Sequence, residues 1–335
     1  METKYKTLKK AGYDKSGSTL VNILLIFIFV ISLILIIAVG YLVYMDLPGS
    51  PENVNLELDN LSVVENESVS DVYQFYPNMK FNHNDISYRI EDGCEIIKKE
   101  RMISAFNELS KQVNIISFHE VSEEPDIEVS CTKKEKSFEN KDYFIAGEGG
   151  AKEIVQTGAY NVITGGVILL YESQKKSIKC DYPNVEMHEL MHVFGFNHST
   201  NKNNLMYPYL ESCNQVLDDS LIKELKRLYS QENLPDLYFE DAKVIKKGRY
   251  LDFNLTVKNS GDVDAPNVSF SVFDESDLVE TRKIGDIKYG AGIVVEIKNF
   301  KLIRRNPTEV SFVIDAENKI KESDNKNNIV KAKFD

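Results

Sequence analysis

An α+β domain followed by an all-β sandwich, with one membrane-crossing helix ahead of both, is the fold class that this 335-residue sequence predicts. Three observations carry it. Leu20 to Met45 is a run of twenty-six residues without a charge, longer than the roughly 20 needed to cross a bilayer. Between Tyr73 and Ser230, helical and alternating apolar patterns are interleaved, whereas residues 236–335 hold only short alternating runs separated by turns. The expected boundaries are a cytoplasmic tail at 1–19, a transmembrane anchor at 20–45, a spacer at 46–72, the α+β domain at 73–231 and the sandwich at 236–335.

The apolar run reads as an uncleaved anchor, because a signal peptide has an apolar region of about 7–15 residues and ends in an A-x-A-like site that is absent here. Lys4, Lys6, Lys9, Lys10 and Lys15 precede it against Glu2 and Asp14, and the next basic residue is Lys80. That asymmetry keeps the N-terminus inside and places residues 46–335 outside, as in a single-pass protein of the cell membrane. Cys94, Cys131, Cys180 and Cys213 all fall on the exported side, where disulfides persist. Four cysteines allow three pairings; Cys94–Cys131 with Cys180–Cys213 is the expected one, since each pair then stays within one half of the α+β domain. The net charge of −12, with no clustered lysine or arginine, argues against a nucleic-acid partner.

The acidic, polar stretch after Asp46, opened by Pro48-Gly49-Ser50-Pro51, reads as a spacer. Glu95 to Ser110 places Ile96, Ile103, Phe106 and Leu109 on one helical face, and a strand is expected at Val113–Phe118. Asp126 to Cys131 alternates as a half-buried strand does. Gly147, Gly149 and Gly150 mark a loop, and Gly166–Tyr171 reads as a buried strand. Asp218-Asp219-Ser220 opens a helix in which Leu221, Leu225 and Leu228 recur, with the aspartates at its positive end. Runs such as Leu251–Val257, punctuated by Asn259-Ser260-Gly261, suggest the sandwich.

The chemistry is concentrated in His188-Glu189-Leu190-Met191-His192-Val193-Phe194-Gly195-Phe196-Asn197-His198. Positions i and i+4 share a helix face, so His188 and His192 can offer two ring nitrogens to one ion. Glu189 stands beside that row, where its carboxylate serves as general base toward a water on the metal and not as a ligand. Gly195 allows the left-handed turn that returns His198 as third ligand. Three ligands leave one position open, the mark of a catalytic zinc site. Only five histidines occur in the chain, so three at this spacing are not a chance cluster. The other two, His83 and His119, have no ligand-spaced partners and read as surface or hydrogen-bonded residues.

With Asn204-Leu205-Met206-Tyr207-Pro208 downstream, these residues resemble the metzincin metallopeptidases: His188, Glu189, His192, Gly195 and His198 match the long zinc motif, and Met206 matches the Met-turn. Met-Tyr-Pro looks most like the matrixin branch. The resemblance implies a zinc endopeptidase with a polypeptide substrate, and Met206 as an apolar floor beneath the histidines. The order helix, strand, strand, strand, zinc helix is also that of a metzincin N-terminal subdomain. Asn259–Val268, with Asp315-Ala316-Glu317-Asn318 and Glu322–Asn328, resembles the CARDB domains of prokaryotic surface proteins, which are immunoglobulin-like and serve adhesion or spacing. That resemblance implies a cell-surface partner for the sandwich. Calcium on Asp315–Asn328 is an alternative without an EF-hand ligand pattern, and a solvated turn is the expectation. The sandwich has no histidine or cysteine and is expected to be dispensable for chemistry. Two other classes stay open: a surface adhesion protein with an inactive fold of this type, and a zinc hydrolase of a non-peptide cell-wall substrate.

Overall fold

A computed structural model describes residues 15–58, 73–133, 145–171 and 180–334. The start of the expected cytoplasmic tail and residues 59–72 of the expected spacer lie outside the described residues.

The first element, α1 (Lys15–Asp46), contains Val21–Asp46, the one helix among the described residues that is long and apolar enough to cross a membrane. Two short strands follow, β1 (Pro51–Asn53) and β2 (Asn55–Leu58). Both lie in the stretch expected to be a spacer, and both are instead part of the sandwich. β1 pairs with β9 (Leu237–Lys247), and β2 pairs with β15 (Ile329–Lys333), so residues 51–58 add an edge strand to each sheet. The α+β domain is therefore inserted between two parts of the sandwich. The end of α1 is held to the same module. Asp46 meets Lys301 at 2.9 Å and Arg249 at 3.2 Å, and Arg305 Nη1 donates to the carbonyls of Tyr44 and Leu47, both at 2.5 Å.

The inserted domain has one mixed sheet, built from β3 (Met79–Lys80), β4 (Asp85–Ile90), β5 (Ser117–Glu120), β6 (Ile127–Thr132), β7 (Gly147–Gln156) and β8 (Asn161–Tyr171), in the order β3-β8-β6-β4-β5 with β7 on β8. Every pairing is parallel except β7 with β8. α2 (Ile96–Val113) connects the parallel strands β4 and β5 and buries Met102, Ala105, Phe106, Leu109 and Val113. Its apolar face is rotated from the expected one: Ile96 is 74% exposed and Ile103 36%. The expected strand from Val113 begins only at Ser117, because Val113 still closes the helix and Asn114 turns left-handed after it. The glycines read as a loop are the start of β7. α3 (Asn184–Val193) lies against that strand, and a Cβ on Gly147 would stand 2.6 Å from Glu189 Cγ. Glycine is there for close approach, not for a bend.

α4 (Asp219–Tyr229) closes the domain, with the Asp218 carboxylate accepting from the Ser220 and Leu221 N–H groups as its N-cap. The sandwich then runs through β9, β10 (Tyr250–Asn259), β11 (Ala265–Asp274), β12 (Asp277–Ile287), β13 (Gly292–Lys301), β14 (Glu309–Ile314) and β15. Its sheets have the orders β1-β9-β10-β13 and β12-β11-β14-β15-β2. Alternation gives it a core: Leu251, Phe253, Leu255 and Val257 of β10 are buried against Phe270, Phe312 and Val330. Within Asp315–Asn328, Asp315 accepts the Ile320 N–H at 2.7 Å and Asp324 the Lys326 N–H at 2.9 Å, so both carboxylates close their own turns.

The disulfides are Cys94–Cys131 and Cys180–Cys213, the expected pairing. The second, with a sequence separation of 33, encloses α3, the returning histidine and the Asn204–Pro208 turn. Closing a loop of that length stabilises by about 3–4 kcal/mol. Replacing both cysteines by alanine is expected to lower the unfolding midpoint of the domain by roughly 6–16 °C. An unchanged midpoint on thermal denaturation would remove this bond from the account of stability.

Candidate metal centre

α3 is buried around nearly its whole circumference, so its polar residues are held by specific partners. At its N-terminus, Glu186 is 1% exposed and faces Arg101 of α2, whose Nε donates to both carboxylate oxygens at 3.2 Å. Arg101 also donates to the carbonyls of Cys180 and Tyr182 at 2.9 and 3.1 Å, fixing the approach to the helix. One turn on, His188 and His192 face the same way. The helix ends at Phe194, Gly195 takes φ +85°, and the chain comes back with His198.

The three imidazoles converge. His192 Nε2 lies 3.1 Å from His188 Nε2 and 3.1 Å from His198 Nε2. The opposite nitrogens of two rings are engaged: His188 Nδ1 with the Leu205 carbonyl at 2.8 Å, and His192 Nδ1 with the Phe196 carbonyl at 2.7 Å. A carbonyl only accepts, so each Nδ1 carries the proton and each Nε2 presents a bare lone pair. Two lone pairs 3.1 Å apart with no proton between them repel unless a cation lies among them. Ligands about 2.0–2.1 Å from one tetrahedral zinc stand about 3.3 Å apart, so the donor set and its spacing fit that ion.

Burial, then the charge of His192, drives His188 down to about 3, against the Leu205 carbonyl; burial likewise takes His192 down to about 4 and lowers His198. Neutral rings are what a metal requires. Glu189 moves the other way. Burial first, then Glu148 and Glu186, push its carboxyl up to about 8, while the Gly149 N–H of β7 pulls it down by hydrogen bonding.

The Asn204–Pro208 turn contributes through its backbone. Its Leu205 carbonyl sets the His188 tautomer, and the turn is fixed by the Asn204 side chain, which accepts from the Met206 N–H at 2.7 Å and donates to Asp218. Met206 is 2% exposed, in one core with Leu190, Met191 and Val193. His83 and His119 stand apart from the triad, hydrogen-bonded to Asn82 and Asp126, and to Asp85. Reading the sequence missed Gly149 and Arg101 as supports of the site. The glycine cluster was a visible signal, whereas nothing near Arg101 in the sequence points to Glu186.

The inserted domain and its histidine triad fall within a family match that supports a metallopeptidase family. More narrowly, residues 80–230 match the family Matrixin and residues 234–332 the family CARDB, so the chain carries a matrixin domain followed by a CARDB domain. Among solved structures, the crystal structure of a CARDB domain from Pyrococcus furiosus, in complex with di-metal ions, is 18% identical over 30% of this chain and 86% of that one, at a TM-score of 0.25. A solution structure of that CARDB domain gives 18%, 30%, 94% and 0.26. A putative cell surface protein domain from Methanosarcina acetivorans gives 18%, 30%, 89% and 0.24. No curated protein matches the chain.

Proposed function

We propose that this chain is a zinc endopeptidase held in the cell membrane by Val21–Asp46, with the matrixin and CARDB domains outside. The observation that carries the reading is the pair of bare Nε2 lone pairs 3.1 Å apart on His188 and His192, which a shared cation relieves. His188, His192 and His198 would hold zinc, which when bound polarises a peptide carbonyl and lowers the pKa of water to about 7. Glu189 is the proton carrier. Its carboxyl is raised to about 8 by burial and acidic neighbours, and a divalent charge at the triad would draw it back down. It takes a proton from the attacking water and delivers it to the leaving amine. The Gly149 N–H orients it.

β7 supports a polypeptide substrate. It pairs as a strand only with β8 among the described residues, and it lies beside α3, where its Gly149 N–H meets Glu189. An extended peptide can add to a sheet edge as a further strand, with its backbone in register beside Glu189. The CARDB domain suits a cell-surface partner, in keeping with its family.

The full chain in detergent with one equivalent of zinc is expected to cleave members of a quenched peptide library, to stop when a chelator is added and to recover with zinc. Zinc-loaded protein that cleaves no peptide would make the adhesion reading the better one, and hydrolysis confined to a non-peptide wall component would favour the third class. For orientation, protease added to intact cells is expected to degrade the mass beyond Asp46. Complete protection would reverse the topology.

A further inference from the structure

Lys80 and Asp262 are 0% and 2% exposed, belong to different domains and take no part in the histidine site. Burying two charges is unfavourable unless they face each other with their remaining hydrogen bonds satisfied. Lys80 Nζ lies 2.7 Å from Asp262 Oδ2, 2.6 Å from Asn233 Oδ1 and 3.5 Å from the Leu228 carbonyl, and sits 4.5 Å from the centre of the Tyr160 ring. One ammonium thus ties β3 to the end of α4, the connection between the domains and the sandwich. Asp262 is fixed in turn: its Oδ1 accepts the Leu234 N–H at 3.0 Å and its carbonyl accepts Asn82 Nδ2 at 3.1 Å. Alongside, the Gly158 N–H donates to the Ser260 carbonyl at 3.2 Å, and a Cβ on Gly158 would stand 2.5 Å from Ser260 Cβ. The two domains are in direct contact at Gly158 and Ser260.

The residue before Lys80 reaches the metal centre. Met79 fills the volume beside the Gly195 turn, where a Cβ would lie 2.8 Å from Met79 Cβ and 2.9 Å from its Cε. The Gln74 side chain binds the Met79 carbonyl and N–H at 2.8 and 3.0 Å and the Phe194 carbonyl at 2.9 Å, and the Phe75 N–H donates to the Gly195 carbonyl at 2.8 Å. β3 and the turn that sends His198 back are one packed unit.

We propose that Lys80 is a positioning residue for the third histidine, acting through Met79 and the Gly195 turn, and that Asp262 of the sandwich holds it in place. The inference rests on reading the triad as a zinc site. On it, the sandwich belongs to the catalytic unit and is not dispensable for chemistry.

The test measures zinc affinity by chelator competition, together with the unfolding midpoint, on the full chain in detergent. Lys80→Met and Asp262→Asn are expected to weaken zinc binding about tenfold or more, as loss of a supporting partner does. Val330→Ala, in the sandwich core, is expected to lower the midpoint with zinc affinity unchanged, which separates positioning from general stability. The double variant Lys80→Met with Asp262→Leu leaves no charge unpaired and is expected to fold and bind zinc more tightly than either single change. Folded single variants with wild-type zinc affinity would overturn the proposal. If the single variants do not fold, a folded double variant with wild-type zinc affinity, or a Val330→Ala variant whose zinc binding is weakened as much as that of the double variant, would overturn it. Wild-type protein that binds no zinc would instead overturn the metal reading beneath it.

Discussion

On the proposed reading, replacing Glu189 by alanine is expected to leave the chain folded with about one zinc ion bound, while peptide hydrolysis falls by about 10²–10⁴ or more, the range for general acid–base groups. The side chain is 6% exposed and is fixed by the Gly149 N–H, but it is not one of the three groups whose donor atoms converge. His192→Ala gives a different signature. His192 is the central member, 3.1 Å from both other Nε2 atoms, and its removal leaves two ligands. Zinc is then expected to be lost, and activity with it. Metal content and a quenched-peptide assay on both variants distinguish zinc kept from zinc lost. Full hydrolysis by Glu189→Ala would reject the proton-transfer role.

The second large effect falls on β7, where two neighbouring glycines respond oppositely. A Cβ on Gly149 would meet the carbonyl oxygen of Glu189 and lie 2.8 Å from its carbonyl carbon and 2.9 Å from its Cα. These are backbone atoms of a buried helix and cannot turn aside. Gly149→Ala is expected to cost about 3 kcal/mol, the upper part of the usual range for overpacking, and to lower the midpoint by roughly 6–12 °C. Hydrolysis drops with it, because the N–H that orients Glu189 is displaced. A Cβ on Gly150 meets nothing within 4 Å. Gly150→Ala is expected to be neutral or to stabilise by about 0.4–1 kcal/mol through the unfolded chain. Equal midpoints for the two variants would disprove the close packing of β7 on α3.

The convergence of His188, His192 and His198 was legible in the sequence because its determinants are local. His188 and His192 are one helical turn apart, and a glycine of left-handed conformation returns His198 within the same short stretch. Asp218 was legible as the start of α4 for the same reason, and the structure makes it the N-cap. What could not be read depends on partners remote along the chain. Pro51–Leu58 is short and polar, and becomes two strands only because Lys247 and Val330 offer free sheet edges. Ile96 and Ile103 fit a helical period, yet neighbouring elements bury the adjacent face through Met102 and Ala105. Lys80 looks like any surface lysine until Asp262, in another domain, lies opposite it. The glycines of β7 gave a true signal with two meanings, bend or close approach, and only the helix above them decides between the two.

Insertion of the matrixin domain between β2 and β9 bears on how such a protein could be shed. A cut after β2 leaves the inserted domain joined to the sandwich through residues 231–236, and the sandwich stays zipped to the segment that follows α1 by β1 on β9 and β2 on β15. A cut between the domains leaves the sandwich clipped in place by those same ladders. On the proposed topology a single cut after β2 or between the domains would therefore nick this protein without freeing it, whereas one between α1 and β1 would release both domains together.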